Sequence, residues 1–362
     1  MLYHAVAAGM WTYSHASHRV TVLGRERLEL PRGSLILVTH RRETDVPVVC
    51  PPLYRRAPLW RHPTSFAARD DMFLPGFFAG FPPGLSPRLR RALYHVNAGP
   101  FLPRVEVQPI RSAKVARLAE VLAARDGEPL PESEREAFAG RAAECGLRPP
   151  ASSRDALRGE YADLLWRAVT PEDAAAAGLD SFWARRAGEA AQDFRALVDI
   201  VRGGMELLLF PEGRPSPDGE IGPVQRGLGA LVRRARPAAL QPVGLAYDPL
   251  VRGRTRVTVA FMPVAPVPAE RIEESALALL RLAMPLTVGQ VVADLFERDS
   301  GESAEDAAVA AVYAARAEGR FVEPDLMRAR SRARRLGEAL AVAREMPNEV
   351  AFLAREFRSA RA

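Results

Sequence analysis

The run Ser34-Leu-Ile-Leu-Val-Thr-His40 constrains the fold more than any other segment of this chain. Its apolar residues are consecutive rather than alternating, and they are too few for a buried helix. Such a run suits a central strand covered on both faces, as in a sheet whose parallel strands are joined by helices. Glu206-Leu-Leu-Leu-Phe210 has the same character. Arg19–Gly24, Val105–Ile110, Ala239–Ala246 and Arg256–Phe261 read as further strands, with Pro109 favouring the end of its own. Helical patterns lie between them at Lys114–Ala124, Phe194–Arg202 and Gly227–Arg236. This alternation predicts an α/β fold with a mixed, mostly parallel sheet flanked by helices.

Two stretches differ in character. Residues 112–200 are rich in Ala, Arg and Glu, with breaks at Gly127–Pro131, Pro149-Pro150 and Thr170-Pro171, and read as a helical insertion. From Pro268 onward the composition is similar and no strand is evident, so 267–362 reads as a C-terminal helical region with a loop at Asp299–Glu305. The α/β domain then comprises 1–111 and 201–266, and the Pro-rich stretch Phe81–Pro87 is a loop.

Charge narrows the chemistry. The 362 residues carry 50 Lys and Arg against 44 Asp and Glu, a formal net charge of +6, and Lys114 is the single lysine. Lys114 sits in Ser-Ala-Lys-Val, so there is no Walker-type phosphate loop, and Schiff-base chemistry would have to use this one residue. The basic excess suits phosphate esters, nucleic acid or an acidic membrane surface. No zinc-finger or RRM-like signature supports a specific nucleic-acid partner. The densest basic run, Arg328–Arg335, suits anionic headgroups, an acidic carrier protein or a solvated helix face. Cys50 and Cys145 have no metal-ligand spacing and make no disulfide framework, which suits a reducing compartment. The apolar stretch at the N-terminus is too short to span a bilayer, and residues 4–13 suit a short amphipathic helix on a membrane or against the core. The expected location is cytoplasmic, peripheral at the inner face of the membrane.

All six histidines lie within the first 95 residues. His40 ends the buried run and opens His40-Arg-Arg-Glu-Thr-Asp45. Functional groups in open α/β sheets gather at the carboxyl ends of strands. A tight turn after the strand lets Asp45 fold back to one imidazole nitrogen, orient the ring and leave the other nitrogen to take a proton. The bland alternative is a polar turn. A second cluster, Phe210-Pro-Glu-Gly-Arg214, follows the other buried run. Gly213 permits positive φ or a close backbone approach, and exposed N–H groups beside Arg214 suit an anion; an ordinary turn is the alternative.

Taken together, H-x4-D after one buried strand and F-P-E-G after a later one resemble the glycerolipid acyltransferases, the glycerol-3-phosphate and 1-acylglycerol-3-phosphate O-acyltransferases. The resemblance covers about residues 18–111 and 202–265. It includes the lead-in His18–Pro31, the segment Phe66–Phe78 with Arg69 where the family usually has lysine, the tail Asp218–Gly227, and Leu240–Leu245. Thr39 stands where the family usually has Asn, and Arg214 falls one place early. The second motif's arginine is either Arg111 or Arg104.

The resemblance implies transfer of a fatty acyl group from a thioester donor, acyl-CoA or acyl-carrier protein, to a hydroxyl of a glycerophosphate-type acceptor. His40 would be the general base and Asp45 its orienting partner. Arg69 and Arg111 would bind the acceptor phosphate, Glu212 its hydroxyls, and backbone N–H groups near Pro211–Gly213 the oxyanion. No metal or redox cofactor is implied. The alternatives are another lipid or polyol acceptor, or a non-catalytic lipid- or carrier-binding protein on the same scaffold. Oligomeric state is open.

Overall fold

The computed structural model describes residues 2–28, 30–54, 64–80, 86–174, 179–298 and 302–362. Among the described residues there are nine strands: β1 (Arg19–Leu23), β2 (Leu35–Val38), β3 (Ser65–Arg69), β4 (Val107–Ile110), β5 (Ala116–Arg117), β6 (Ala168–Val169), β7 (Leu207–Leu209), β8 (Leu240–Asp248) and β9 (Arg256–Phe261). Seven form one sheet in the order β1-β9-β8-β2-β7-β3-β4, while β5 and β6 pair as a separate antiparallel ribbon. β2 is parallel to both neighbours, β7 and β8; β7 is parallel to β3, and β9 to β1; only the β8–β9 pairing among these is antiparallel. The fold is therefore α/β with a mixed, mostly parallel sheet, helical flanks and a helical C-terminal region. Leu35, Ile36, Leu37 and Val38 of β2 are wholly buried, as a strand covered on both faces requires. Pro109 lies in β4, the last strand of the order, a position where proline is tolerated.

The chain forms two compact units, Met1–Phe66 with Val198–Ala362, and Ala67–Leu197. Segment 67–111, grouped from sequence with the α/β domain, thus clusters with the helical insertion. Ion pairs explain the grouping: Asp71 binds Arg117 at 2.6 Å and Asp70 binds Arg186 at 2.5 Å. Hydrophobic patterning does not report such partners. The unit's core gathers Leu118, Leu122, Leu130, Phe138, Tyr161 and Leu165. Two expected loops are shorter than predicted. Pro87 already begins the helix Pro87–Tyr94, and Ala304 begins Ala304–Ala317; residues 81–85 and 299–301 lie outside the described residues. Lys114 precedes β5, and the helix there starts only at Leu118.

In the first unit, the helix Asp45–Tyr54 holds Pro51 and Pro52 in its interior. Pro51 has no N–H for the carbonyl of Pro47, four residues earlier. The hydroxyl of the buried Ser14 reaches that carbonyl from the helix Leu2–Ser17. The N-terminal helix is therefore held on the core by a backbone group that the prolines leave open.

The C-terminal helices form their own apolar core, including Leu286, Val292, Leu336, Leu353 and Phe357. They meet the end of β8 through a buried ion pair, Arg335 to Asp248 at 3.1 Å, and Arg335 also binds Glu338 at 2.5 Å. Burial pushes the Asp248 carboxyl up and Arg335 pulls it back. The basic run is thus divided: Arg335 is internal, Arg332 binds Glu305 at 2.6 Å, and Arg328, Arg330 and Arg334 face solvent. Replacing Arg335 by Met removes the ion-pair partner of the buried Asp248 and leaves it only the more distant charge of Arg256. Chemical denaturation of Arg335→Met should show a loss of about 3–5 kcal/mol; a loss below about 1 kcal/mol would contradict this docking.

Candidate active site

Parallel pairing sets the site. Leu37 pairs with Leu209 in the β2–β7 register, so His40 and Glu212, each three residues further on, leave the sheet side by side. The main-chain N–H of His40 donates to Glu212 Oε1 at 2.7 Å, and the His40 carbonyl accepts from the N–H of Ser216 at 3.0 Å. The imidazole stacks on Phe210, with centroids 4.3 Å apart and planes 27° from parallel. These contacts fix the backbone and the plane of the ring before any side-chain partner is counted.

Asp45 folds back to His40 as the spacing predicts. His40 Nδ1 lies 2.9 Å from Asp45 Oδ2. The same oxygen accepts from the N–H groups of Arg41 at 2.6 Å and Arg42 at 3.0 Å, and Oδ1 accepts from the Tyr247 hydroxyl at 2.8 Å. Asp45 is wholly buried. With four donors around it the carboxylate needs no solvent, and its lone pairs are taken in an acceptor-only geometry. A carboxylate at Nδ1 assigns the proton to that nitrogen and leaves Nε2 as the acceptor. Among the described residues Nε2 has no protein partner, and the side chain is 12% exposed. Burial first, and then the Asp45 charge, push the Tyr247 hydroxyl well above its ordinary range, so it stays a donor.

Sequence reasoning missed Arg41, Tyr247 and Phe210. Arg41 is 2% exposed and binds Glu212 Oε2 at 2.7 Å, while its other terminal nitrogen donates to the carbonyls of Gly219 at 3.0 Å and Glu220 at 3.3 Å. Gly222 N–H also donates to Glu212 Oε2 at 2.9 Å. Both Glu212 oxygens therefore meet protein donors. The adjacent Arg42 instead lies over the Tyr247 ring at 4.9 Å and binds Glu349 at 3.2 Å. Thr39 is buried, and its hydroxyl accepts from Leu245 N–H at 2.8 Å, extending the pairing with β8 by one bond.

The remaining predicted residues lie as follows. Gly213 has φ 75°, and its N–H closes a turn on the Phe210 carbonyl at 2.9 Å, so that donor is already engaged. Arg214 is exposed and has no hydrogen bond or ion pair among the described residues. Arg69 and Arg111 belong to the second unit. Arg69 binds Asp71 at 2.5 Å, and Arg111 binds Asp193 at 3.1 Å and Glu189 at 3.5 Å. Arg104 lies over the Phe101 ring at 5.7 Å. Among the described residues no group of three or more His, Cys, Asp and Glu is placed to hold a metal, and no helix is long and apolar enough to cross a membrane.

No family model matches this chain, and no curated protein matches its sequence. Among solved structures it is similar to the 1-acyl-sn-glycerophosphate (LPA) acyltransferase PlsC from Thermotoga maritima, with a TM-score of 0.38 and 11% identity over 76% of each chain. A likeness this distant carries no argument about what this chain does.

Behind Arg41 lies Glu356, 1% exposed and 3.9 Å from Arg41 Nη1. Burial pushes its carboxyl up to about 7 against the pull of Arg41. The native state then holds this proton more tightly than the unfolded chain, so stability falls as pH rises from the ordinary carboxylate range to about 7. Glu356→Gln removes that titration. Melting temperatures compared at pH 5 and pH 8 should move in the variant's favour at the higher pH; a difference independent of pH would contradict the assignment.

Proposed function

We propose that this chain is an acyltransferase, moving a fatty acyl group from a thioester to an acceptor hydroxyl. The observation that carries the reading is the oriented imidazole at the carboxyl end of β2, with Nδ1 on Asp45 at 2.9 Å and Nε2 unengaged. The acceptor hydroxyl donates to Nε2. As its oxygen attacks the thioester carbonyl, the proton passes to Nε2 and the imidazolium is stabilised by Asp45. Collapse of the tetrahedral intermediate breaks the C–S bond, and the departing thiolate takes the proton back from Nε2. Atoms and charge balance without an acyl-enzyme.

The motif resemblance supports acyl-CoA or acyl-carrier protein as donor, a glycerophosphate-type acceptor with Arg69 and Arg111 on its phosphate, and work at the inner, anionic face of a membrane. The acidic partners of both arginines favour a second reading for the acceptor, a hydroxyl compound without phosphate, since a phosphate would have to displace Asp71 and Asp193. Thiol release from each donor, measured with glycerol-3-phosphate, 1-acylglycerol-3-phosphate and uncharged polyol or glycolipid acceptors, separates them. Wild type should turn over with at least one acceptor, and His40→Ala should be slower by about 10²–10⁴-fold. Equal turnover in the variant would sink the mechanism. No turnover with any donor would make the chain a binding protein.

A further inference from the structure

The helix Pro347–Ser359 touches the strand-end loops at several points. Ile221 N–H donates to Ser359 Oγ at 2.9 Å, Arg355 lies 3.8 Å from Asp218, and Glu349 binds Arg42 at 3.2 Å. The last two pairs are substantially exposed, and such pairs hold little. Glu356 is different. It is buried, its Oε2 accepts from Gln290 Nε2 at 2.7 Å, and its Oε1 faces Arg41 Nη1 at 3.9 Å. Arg41 holds Glu212, and Glu212 holds the main-chain N–H of His40. Three successive buried contacts therefore run from the C-terminal helix to the backbone of the base. The Arg41 guanidinium sits between two carboxylates, Glu212 and Glu356. Removing the Glu356 charge lets the guanidinium settle toward Glu212, within the limits set by the Gly219 and Glu220 carbonyls, and re-seats the carboxylate that holds the His40 N–H.

We propose that Glu356 is a positioning residue for His40, acting through Arg41 and Glu212, so that the C-terminal helical region is part of the site rather than an appendage. The kinetic side of this rests on His40 being the base. The backbone side does not, which separates the two in one experiment. Protein labelled with ¹⁵N-histidine is compared as wild type and Glu356→Gln at pH 8, with thiol release measured on the same samples. The His40 amide resonance should move in the variant while that of His95, in the other unit, stays in place. kcat should fall about 10-fold or more, KM for the acyl donor should hold, and melting temperature should not drop. An unmoved His40 amide overturns the proposal, as does a kcat loss matched by a loss of folded protein. A moved amide in a wild type that shows no thiol release leaves the positioning intact and sinks the acyltransferase reading instead. Should Glu356→Gln not fold, Gln290→Ala removes the bond that aims Glu356 and carries the same expectations.

Discussion

β2 lies between β7 and β8, parallel to both, and all four of its side chains are buried. In this register the two strands that end in polar residues, Thr39-His40 and Glu212-Gly213, finish at the same level. β8 runs on beyond Val243, the last partner of β2, and reaches Tyr247. The carboxyl ends of these strands thereby gather an imidazole, the carboxylate on its Nδ1, a hydroxyl that binds that carboxylate and a second carboxylate on the histidine's own N–H. A slip of one residue in a strand would turn each of these side chains to the other face.

Burial makes the arrangement stiff and also exposes it to error. Asp45, Glu212 and Arg41 are each under 5% exposed, and each has several partners. Charges this deep are tolerated only when fully paired, and loss of one partner leaves the other uncompensated. The network is therefore cooperative: the imidazole inherits its position from backbone, ring stacking and carboxylates together. The same logic recurs at Asp248 and Arg335, where the C-terminal helices are fastened to the far end of β8.

Much of this was legible in the sequence. Consecutive apolar residues before His40 and Glu212 located two buried strands, and the five-residue step to Asp45 fitted a tight return turn; that the two strands are neighbours came only from the pairing. Other parts were not legible. Arg41 and Arg42 are neighbours of one residue type, and only the three-dimensional path sends one to Glu212 and the other to Tyr247 and Glu349. Tyr247 lies one residue past the strand read from sequence, Ala239–Ala246, and the overhang of β8 past β2 is a property of pairing, not of pattern. Glu356 lies in a helix whose polar residues look like a solvated face. Ser14 carries no signal at all, since its role depends on prolines in a different helix. The basic bias of the chain misled in a similar way, because Arg335, Arg186 and Arg41 are internal ion-pair partners rather than surface charge.

Asp45 on Nδ1 fixes the His40 tautomer and leaves Nε2 as the acceptor on which the proposed chemistry depends. Ring-nitrogen chemical shifts of ¹⁵N-labelled His40, recorded with the ring neutral in wild type and Asp45→Asn, test it most directly. The account predicts a protonated Nδ1 and an unprotonated Nε2 in wild type, and loss of that preference in the variant. A proton on Nε2 in wild type, or a tautomer unchanged by Asp45→Asn, would contradict it.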